Sequence, residues 1–388
     1  MRKALVALLA LAPAHAQEKK PPEAPPKDPP QDRLVRCIPC KNEGRVPCGK
    51  HDRSEAPLED GVQYCSELAD CPVCGGTGWL DCDDCENPKW PDVLARKRTG
   101  IGGALQSHAA KNDAEMKRKL HQVITDHFVL VWEVESIKVE KRELGLHEAM
   151  HLYATRLERL FTDYTTVLGA SPREFRERSR VLIWWSPQDQ LEASGRFAGQ
   201  QGPRGIKLLG SSSVYCVCGH RSQFKDDETL HRNVIHNVAH LLLAHQEPSQ
   251  WIGNIKGGWA DEGLAHWFEE KYFGVCDNYC YEEQNTNVDF KGGKWKPVVR
   301  KMVAAGDLPS AADVMQKNTD GLALPMHALS FSYVDYLLAL DGPKLNLVFR
   351  DLRRKVASRD AMQKHFGMNL LEFEEKWKAW VLSTYPVR

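Results

Sequence analysis

Three residues carry the strongest chemical signal in this sequence. In "HNVAH", residues 236 to 240, His236 and His240 stand one helical turn apart, so both imidazoles project from one face and can share a metal ion. Glu262, in the downstream string "DEGLAHWFEE", can bring a carboxylate as the third ligand from a second helix. The residue after the first histidine is Asn237. In an H-E-x-x-H zinc string that place belongs to a glutamate, which takes a proton from water and later returns it; an amide hydrogen-bonds water but cannot do this near neutral pH. Asp261 and His266 are the nearest substitutes for the missing base. A literal H-E-x-x-H string, "HEAMH", does occur at residues 147 to 151. Its surroundings are poorer: His147 and His151 lie beside the apolar stripe of their segment and read as flank residues, and the conceivable third ligand, Glu174, sits in the charged string "SPREFRERSR".

Cysteines form a second cluster. Eight of the twelve fall between Cys37 and Cys85, seven of them in "CIPC", "CGKH", "CPVC" and "DCDDC" and the eighth at Cys65. Pairs of ligands two residues apart are how a knuckle presents two thiolates to one tetrahedral zinc. The alternatives are a disulfide framework, favoured by an oxidising compartment but strained across two-residue loops, and C-x-x-C redox chemistry, which lacks its βαβ context here. The order and spacing of the pairs resemble the DnaJ-type cysteine-rich zinc domain. That resemblance implies one zinc on Cys37, Cys40, Cys82 and Cys85 and another on Cys48, His51, Cys71 and Cys74, with Cys65 able to replace His51. Only "CPVCGGTG" keeps the full family form.

The elements that must position the first trio are legible from periodicity. Strands are predicted at "HFVLVWEV", "RVLIWW" and "SVYCVC", and helices at "LHEAMHLYATRLERLFTDYTTVL", "DETLHRNVIHNVAHLLLAH", "WADEGLAHWFEEKYF", "LSFSYVDYLLAL" and "LEFEEKWKAWVL". The "HNVAH" helix is apolar nearly all round, as a buried central helix is, and its histidines are the exceptions. Of these, His231 and His245 also suit plain core positions. This is an α+β pattern with helices dominating the second half. The segments "HNVAH" and "GWADEGLAHWFEE" resemble the gluzincin group of metalloproteases, thermolysin-like and peptidase MA-like, in which H-E-x-x-H is followed by a glutamate, often as "EGxA" after a tryptophan, here Trp259. The later "HALSFSYVDYLLAL" and "FEEKWKAWV" also look like that group's downstream helices. The resemblance implies zinc on His236, His240 and Glu262, a general-base position filled by Asn237, and His327 and Tyr333 as weak candidates for an oxyanion donor.

Composition sets the frame. With 388 residues, 42% of them hydrophobic, the chain can build one large core and a smaller module. Basic and acidic side chains are equal at 52 each, so no global field draws it to nucleic acid or anionic lipid. Residues 1–16, "MRKALVALLALAPAHA", have the basic start, apolar run and A-x-A ending of a cleaved secretory signal, too short for a membrane span. A Pro-rich linker over 17–33 has six prolines and is extended chain. Then follow the cysteine module at 34–95, a linker or helical hinge at 96–125, and a mainly helical domain with a small β-sheet at 126–388. "CVC" at Cys216 and Cys218 and "CDNYC" at Cys276 and Cys280 suggest disulfides between the two clusters, with a further zinc site as the alternative. The sequence thus points to an exported zinc-binding protein, a pseudo-peptidase that binds polypeptide. The alternatives are a working zinc metallopeptidase with another base, and a non-enzymatic envelope scaffold with zinc in the cysteine module alone.

Overall fold

The computed structural model describes residues 45–47, 62–68, 71, 73, 79–81, 104–278 and 292–387. Its centre is a six-stranded sheet in the order β2-β4-β5-β8-β10-β9. The strands are β2 (Tyr64–Cys65), β4 (Gln122–Ile124), β5 (Phe128–Trp132), β8 (Ser179–Trp184), β9 (Gly205–Leu208) and β10 (Val214–Cys218). The middle strands β5, β8 and β10 run parallel, with antiparallel strands toward both edges. All three predicted strands lie here. A separate ladder joins β1 (Arg45–Pro47) to β3 (Trp79–Asp81), and β6 (Ser136–Val139) and β7 (Arg142–Gly145) form a hairpin.

Alternation along the strands explains why helices cover both faces. Phe128, Leu130 and Trp132, with Val181, Ile183, Tyr215 and Val217, pack into the large core shared with α2 (Leu146–Leu168) and α4 (Asp227–His245). Their neighbours Val131, Leu182, Trp184, Val214 and Cys216 face the other way, against α3 (Pro187–Ala198). Helix α1, over 104–116, covers Tyr64, Ile124 and Val129 through Leu105 and Ala109. The sheet therefore takes β2 from the segment assigned to the cysteine module and β4 from the segment read as linker.

The second half is helical, as expected. Helix α5 (Gly258–Phe273) lies between α4 and α8 (Leu324–Arg353), followed by α9 (Ser358–Phe366) and α10 (Leu370–Thr384). Two further helices, α6 (Trp295–Ala305) and α7 (Ala311–Val314), lie in chain order between α5 and α8. Helix α4 starts on a capping box between Asp226 and Thr229, which satisfies its first amides. At Gly263, one residue past Glu262, a Cβ would stand 2.4 Å from the Ser330 carbonyl oxygen. Even alanine would push α5 off α8, so the glycine sets how deeply Glu262 sits. Helix α8 breaks at Asp341, just before Pro343 and just after the stretch predicted as helix. No helix among the described residues is long and apolar enough to cross a membrane.

Candidate metal centre

Helices α4 and α5 bring His236, His240 and Glu262 together in a wholly buried cluster. The His236 Nε2 lies 3.8 Å and the His240 Nε2 3.7 Å from the Glu262 carboxylate, and the two Nε2 atoms are 3.3 Å apart. Both rings are turned this way by carboxylates behind them. His240 Nδ1 meets Asp261 Oδ1 at 2.8 Å, and His236 Nδ1 meets Glu269 Oε2 at 3.2 Å. Asp261 is itself fixed by Trp251 Nε1 and Thr319 Oγ1, and Glu269 by the backbone amides of Asp277 and Asn278. Carboxylates behind ligating histidines set the tautomer and raise the basicity of the inward nitrogen.

The Glu262 carboxylate decides whether a metal fits. It is fully buried, and neither oxygen has a hydrogen-bond partner. An ionised carboxylate left so is costly unless a cation compensates it. Burial alone would raise its pKa, yet His240, His327 and Lys207 outweigh that and hold it well below the usual range. Burial, reinforced by His240, holds His236 well below the usual imidazole value, so its ring is neutral and its lone pair is available. Two imidazoles and one carboxylate form the donor set of a zinc site with an open position.

The cluster extends beyond the trio. His266 and His327 stand beside Glu262, each 3.5 Å from its Oε2, and the His266 ring lies 4.7 Å from that of His236. Sequence reasoning named Glu262 and His266 but missed Glu269, although the periodicity of α5 holds the signal: Glu262, His266 and Glu269 recur at helical spacing on one face. Tyr333 is not part of this group. It packs against Phe373 and Trp377 of α10, which removes it as an oxyanion donor.

Asn237 is committed elsewhere. Its Nδ2 donates to the Asn233 carbonyl at 2.9 Å and to Tyr215 Oη at 3.3 Å, while its Oδ1 accepts from Lys207 Nζ at 3.2 Å. Neither substitute base is placed for the work. Asp261 is tied to His240, Trp251 and Thr319, and His266 is fully buried with its pKa pushed down to about 3, mainly by burial.

The second string, "HEAMH", is not flanking. His151 is buried at 5% exposure, while Glu148 is exposed and pairs with Arg142. Glu174 does not approach these histidines: it accepts from Gln246 and Arg350, beyond the other end of α2. The expected disulfides are also corrected. Cys216 faces α3, Cys218 bonds the Trp185 carbonyl, and Cys276 bonds the His266 carbonyl beneath α5, so these three are thiols in separate places. Cys65 lies on β2 within the large core. Cys71 is half-buried; Cys37, Cys40, Cys48, His51, Cys74, Cys82, Cys85 and Cys280 lie outside the described residues.

Of the two helical histidines expected as core residues, His245 is satisfied by Ser179 Oγ at 3.0 Å. His231 packs edge-on against Tyr153 and Phe273 with no partner for Nε2, and burial, with Arg156 nearby, pushes its pKa down to about 3. The folded ring stays neutral while the unfolded one charges below about 6.5, so stability is full above that value and is lost as pH falls toward 3. In metal-free protein, His231→Phe is expected to remove about 1.4 kcal/mol per pH unit of that slope, measured by urea unfolding across the window. An unchanged slope would refute the assignment.

A cleft of about 830 Å³, lined among others by Arg156, Asp227, His231 and Phe273, lies at the N-terminal end of α4. None of the metal trio lines it, and the chemistry stays with the buried cluster. No family model and no curated protein matches this chain. Among solved structures, the M1 zinc metallopeptidase from Deinococcus radiodurans is similar at 13% identity and a TM-score of 0.32, over 68% of this chain and 50% of that one. The chain thus spans about half the length of that structure. At that distance the likeness carries no chemical inference, which rests on the side chains.

Proposed function

We propose that this chain is an exported zinc-binding protein with a gluzincin-like domain that holds its ion on His236, His240 and Glu262 and binds polypeptide without hydrolysing it. The observation that carries this reading is the Glu262 carboxylate, buried without a hydrogen-bond partner beside two Nε2 atoms that carboxylates aim at it. When bound, zinc supplies Lewis-acid polarisation and lowers the pKa of the water it holds. The chain's own residues do the rest. Asp261 and Glu269 orient the two ligands, Lys207 adds positive charge beside the trio, and Asn237, held by Asn233, Tyr215 and Lys207, leaves the base's place without a proton acceptor. Loss of a general base typically costs 10² to 10⁴-fold in rate, about enough to leave binding without turnover.

Polypeptide fits the edge of the sheet. Strand β9 is an outer strand, and its Lys207 reaches Asn237, so an extended chain added along β9 would run past the metal-binding helix. The DnaJ-type module would add two zinc ions, one on Cys37, Cys40, Cys82 and Cys85 and one on Cys48, Cys71, Cys74 and His51. The residue 1–16 signal would send the protein to the periplasm, envelope or exterior.

The test uses the zinc-loaded mature chain with a permanently unfolded polypeptide. Binding with the polypeptide left intact is expected, by anisotropy and mass spectrometry on the same samples. Zinc-dependent cleavage that chelation abolishes would overturn the pseudo-peptidase reading in favour of an active peptidase with another base. A chain that carries zinc on the cysteine module alone would instead favour the scaffold reading.

A further inference from the structure

We infer that Cys65, His147 and His151 form a separate metal site, one that staples the edge strand β2 to helix α2 with a zinc-class ion. One ligand atom from each of the three lies within 4.8 Å of the others. The two histidines stand one turn apart at the start of α2, with ring centroids 4.4 Å apart, and Cys65 reaches them from the sheet face that α2 covers.

The observation pointing to a ligand is His151. It is 5% exposed, and neither of its ring nitrogens has a hydrogen-bond partner. A buried imidazole normally satisfies at least one nitrogen, so two orphaned ones aimed into a group that contains a thiol require a cause. One soft sulfur and two imidazoles select zinc or copper over magnesium or calcium. On binding, Cys65 gives up its thiol proton to solvent and a metal–sulfur bond forms; nothing is oxidised. His147 is only half-buried, which leaves water able to take the remaining coordination position. Glu148, the glutamate of the same string, is exposed and held by Arg142, so the site is structural and not hydrolytic.

The placement gives the ion a purpose. Strand β2 has only two residues, paired to β4 through Tyr64 with Ile124 and Cys65 with Val123. Two residues of ladder attach a segment weakly. An ion held between Cys65 and α2 fixes the middle of the cysteine-rich segment to the main domain, independently of the His236 site.

Metal content of the mature chain by native mass spectrometry, after zinc loading and gel filtration, tests this. His147→Gln changes a half-buried side chain and Cys65→Ser is nearly isosteric, so both keep the far-UV circular dichroism of the natural chain. Each is expected to carry one ion fewer, with affinity at that site down by at least the 10–100-fold that loss of a supporting group alone typically costs. His147→Gln combined with His240→Ala should lose two ions, which separates this site from the one behind the proposed function. A natural metal count in folded His147→Gln or Cys65→Ser would overturn the inference. A double variant that loses no more than His240→Ala alone would do the same.

Discussion

Asn237→Glu combined with Lys207→Met is expected to raise peptide hydrolysis about a hundredfold or more over the natural chain, the usual size of a general base's contribution. Position 237 lies on the same turn of α4 as His236 and His240, with His236 and His240 already held for metal by Glu269 and Asp261. The missing piece is a proton acceptor. Glutamate alone would not supply a free one, because Lys207 Nζ lies 3.2 Å from the present Asn237 Oδ1 and would pair with the new carboxylate. An adjacent cation stabilises the ionised form and weakens it as a base. Asn237→Glu alone should therefore rise less than the pair, and the gap between them measures the lysine's grip. Kinetics on an unfolded-protein substrate, at matched zinc content, decide the matter. A natural chain already as fast as the double variant would end the pseudo-enzyme reading. A double variant that holds its zinc yet stays inert would show that the scaffold has lost more than its base.

The parts that sequence reveals are those with a long, uninterrupted apolar pattern. Strands β5, β8 and β10 were legible as apolar runs buried on both faces, and helices α2, α4 and α10 as long segments with apolar residues at helical spacing. The short strands β2, β4 and β9 have too few residues for alternation to register, although β2 turns out to carry Cys65 into the core. Helix α5 shows a different limit. Its charges at Asp261, Glu262 and Glu269 look like a solvated face, yet α4 on one side and α8 on the other bury all three, and each charge is explained only by a residue on another element or by an ion. His151 failed for a related reason. It lies beside the apolar stripe of α2, and burial at that angle depends on β2, which comes from a distant part of the chain. The disulfides expected between the Cys216–Cys218 and Cys276–Cys280 clusters rested on spacing in sequence, whereas Cys216 faces α3 and Cys276 lies against α5; Cys280 is outside the described residues.

His240→Ala is expected to remove one metal ion and to cost about 3–5 kcal/mol of stability, the usual penalty for stranding a buried charge. The size follows from what remains. Glu262 would keep a fully buried carboxylate with no hydrogen-bond partner, without the ion and without His240, the first of the groups that hold it ionised, and Asp261 would lose the ring on its Oδ1, although Trp251 and Thr319 still hold Oδ2. Glu262→Gln separates the charge from the metal. It too should lose the ion, because a neutral amide is a weaker ligand, but it leaves no naked charge in the interior, so its cost in zinc should be smaller than that of His240→Ala. Chelation makes the contrast sharper. Zinc at a hundredfold its dissociation constant contributes about 2.7 kcal/mol, and removing it leaves the natural chain with a buried Glu262 carboxylate that has no hydrogen-bond partner. In chelator, Glu262→Gln should therefore match or exceed the natural chain in urea unfolding, whereas in zinc it should fall below. Both chains share the cysteine module, so the crossing of the two curves reports on the buried trio alone. Natural and Glu262→Gln proteins that keep the same order in zinc and in chelator would show that no ion compensates this carboxylate.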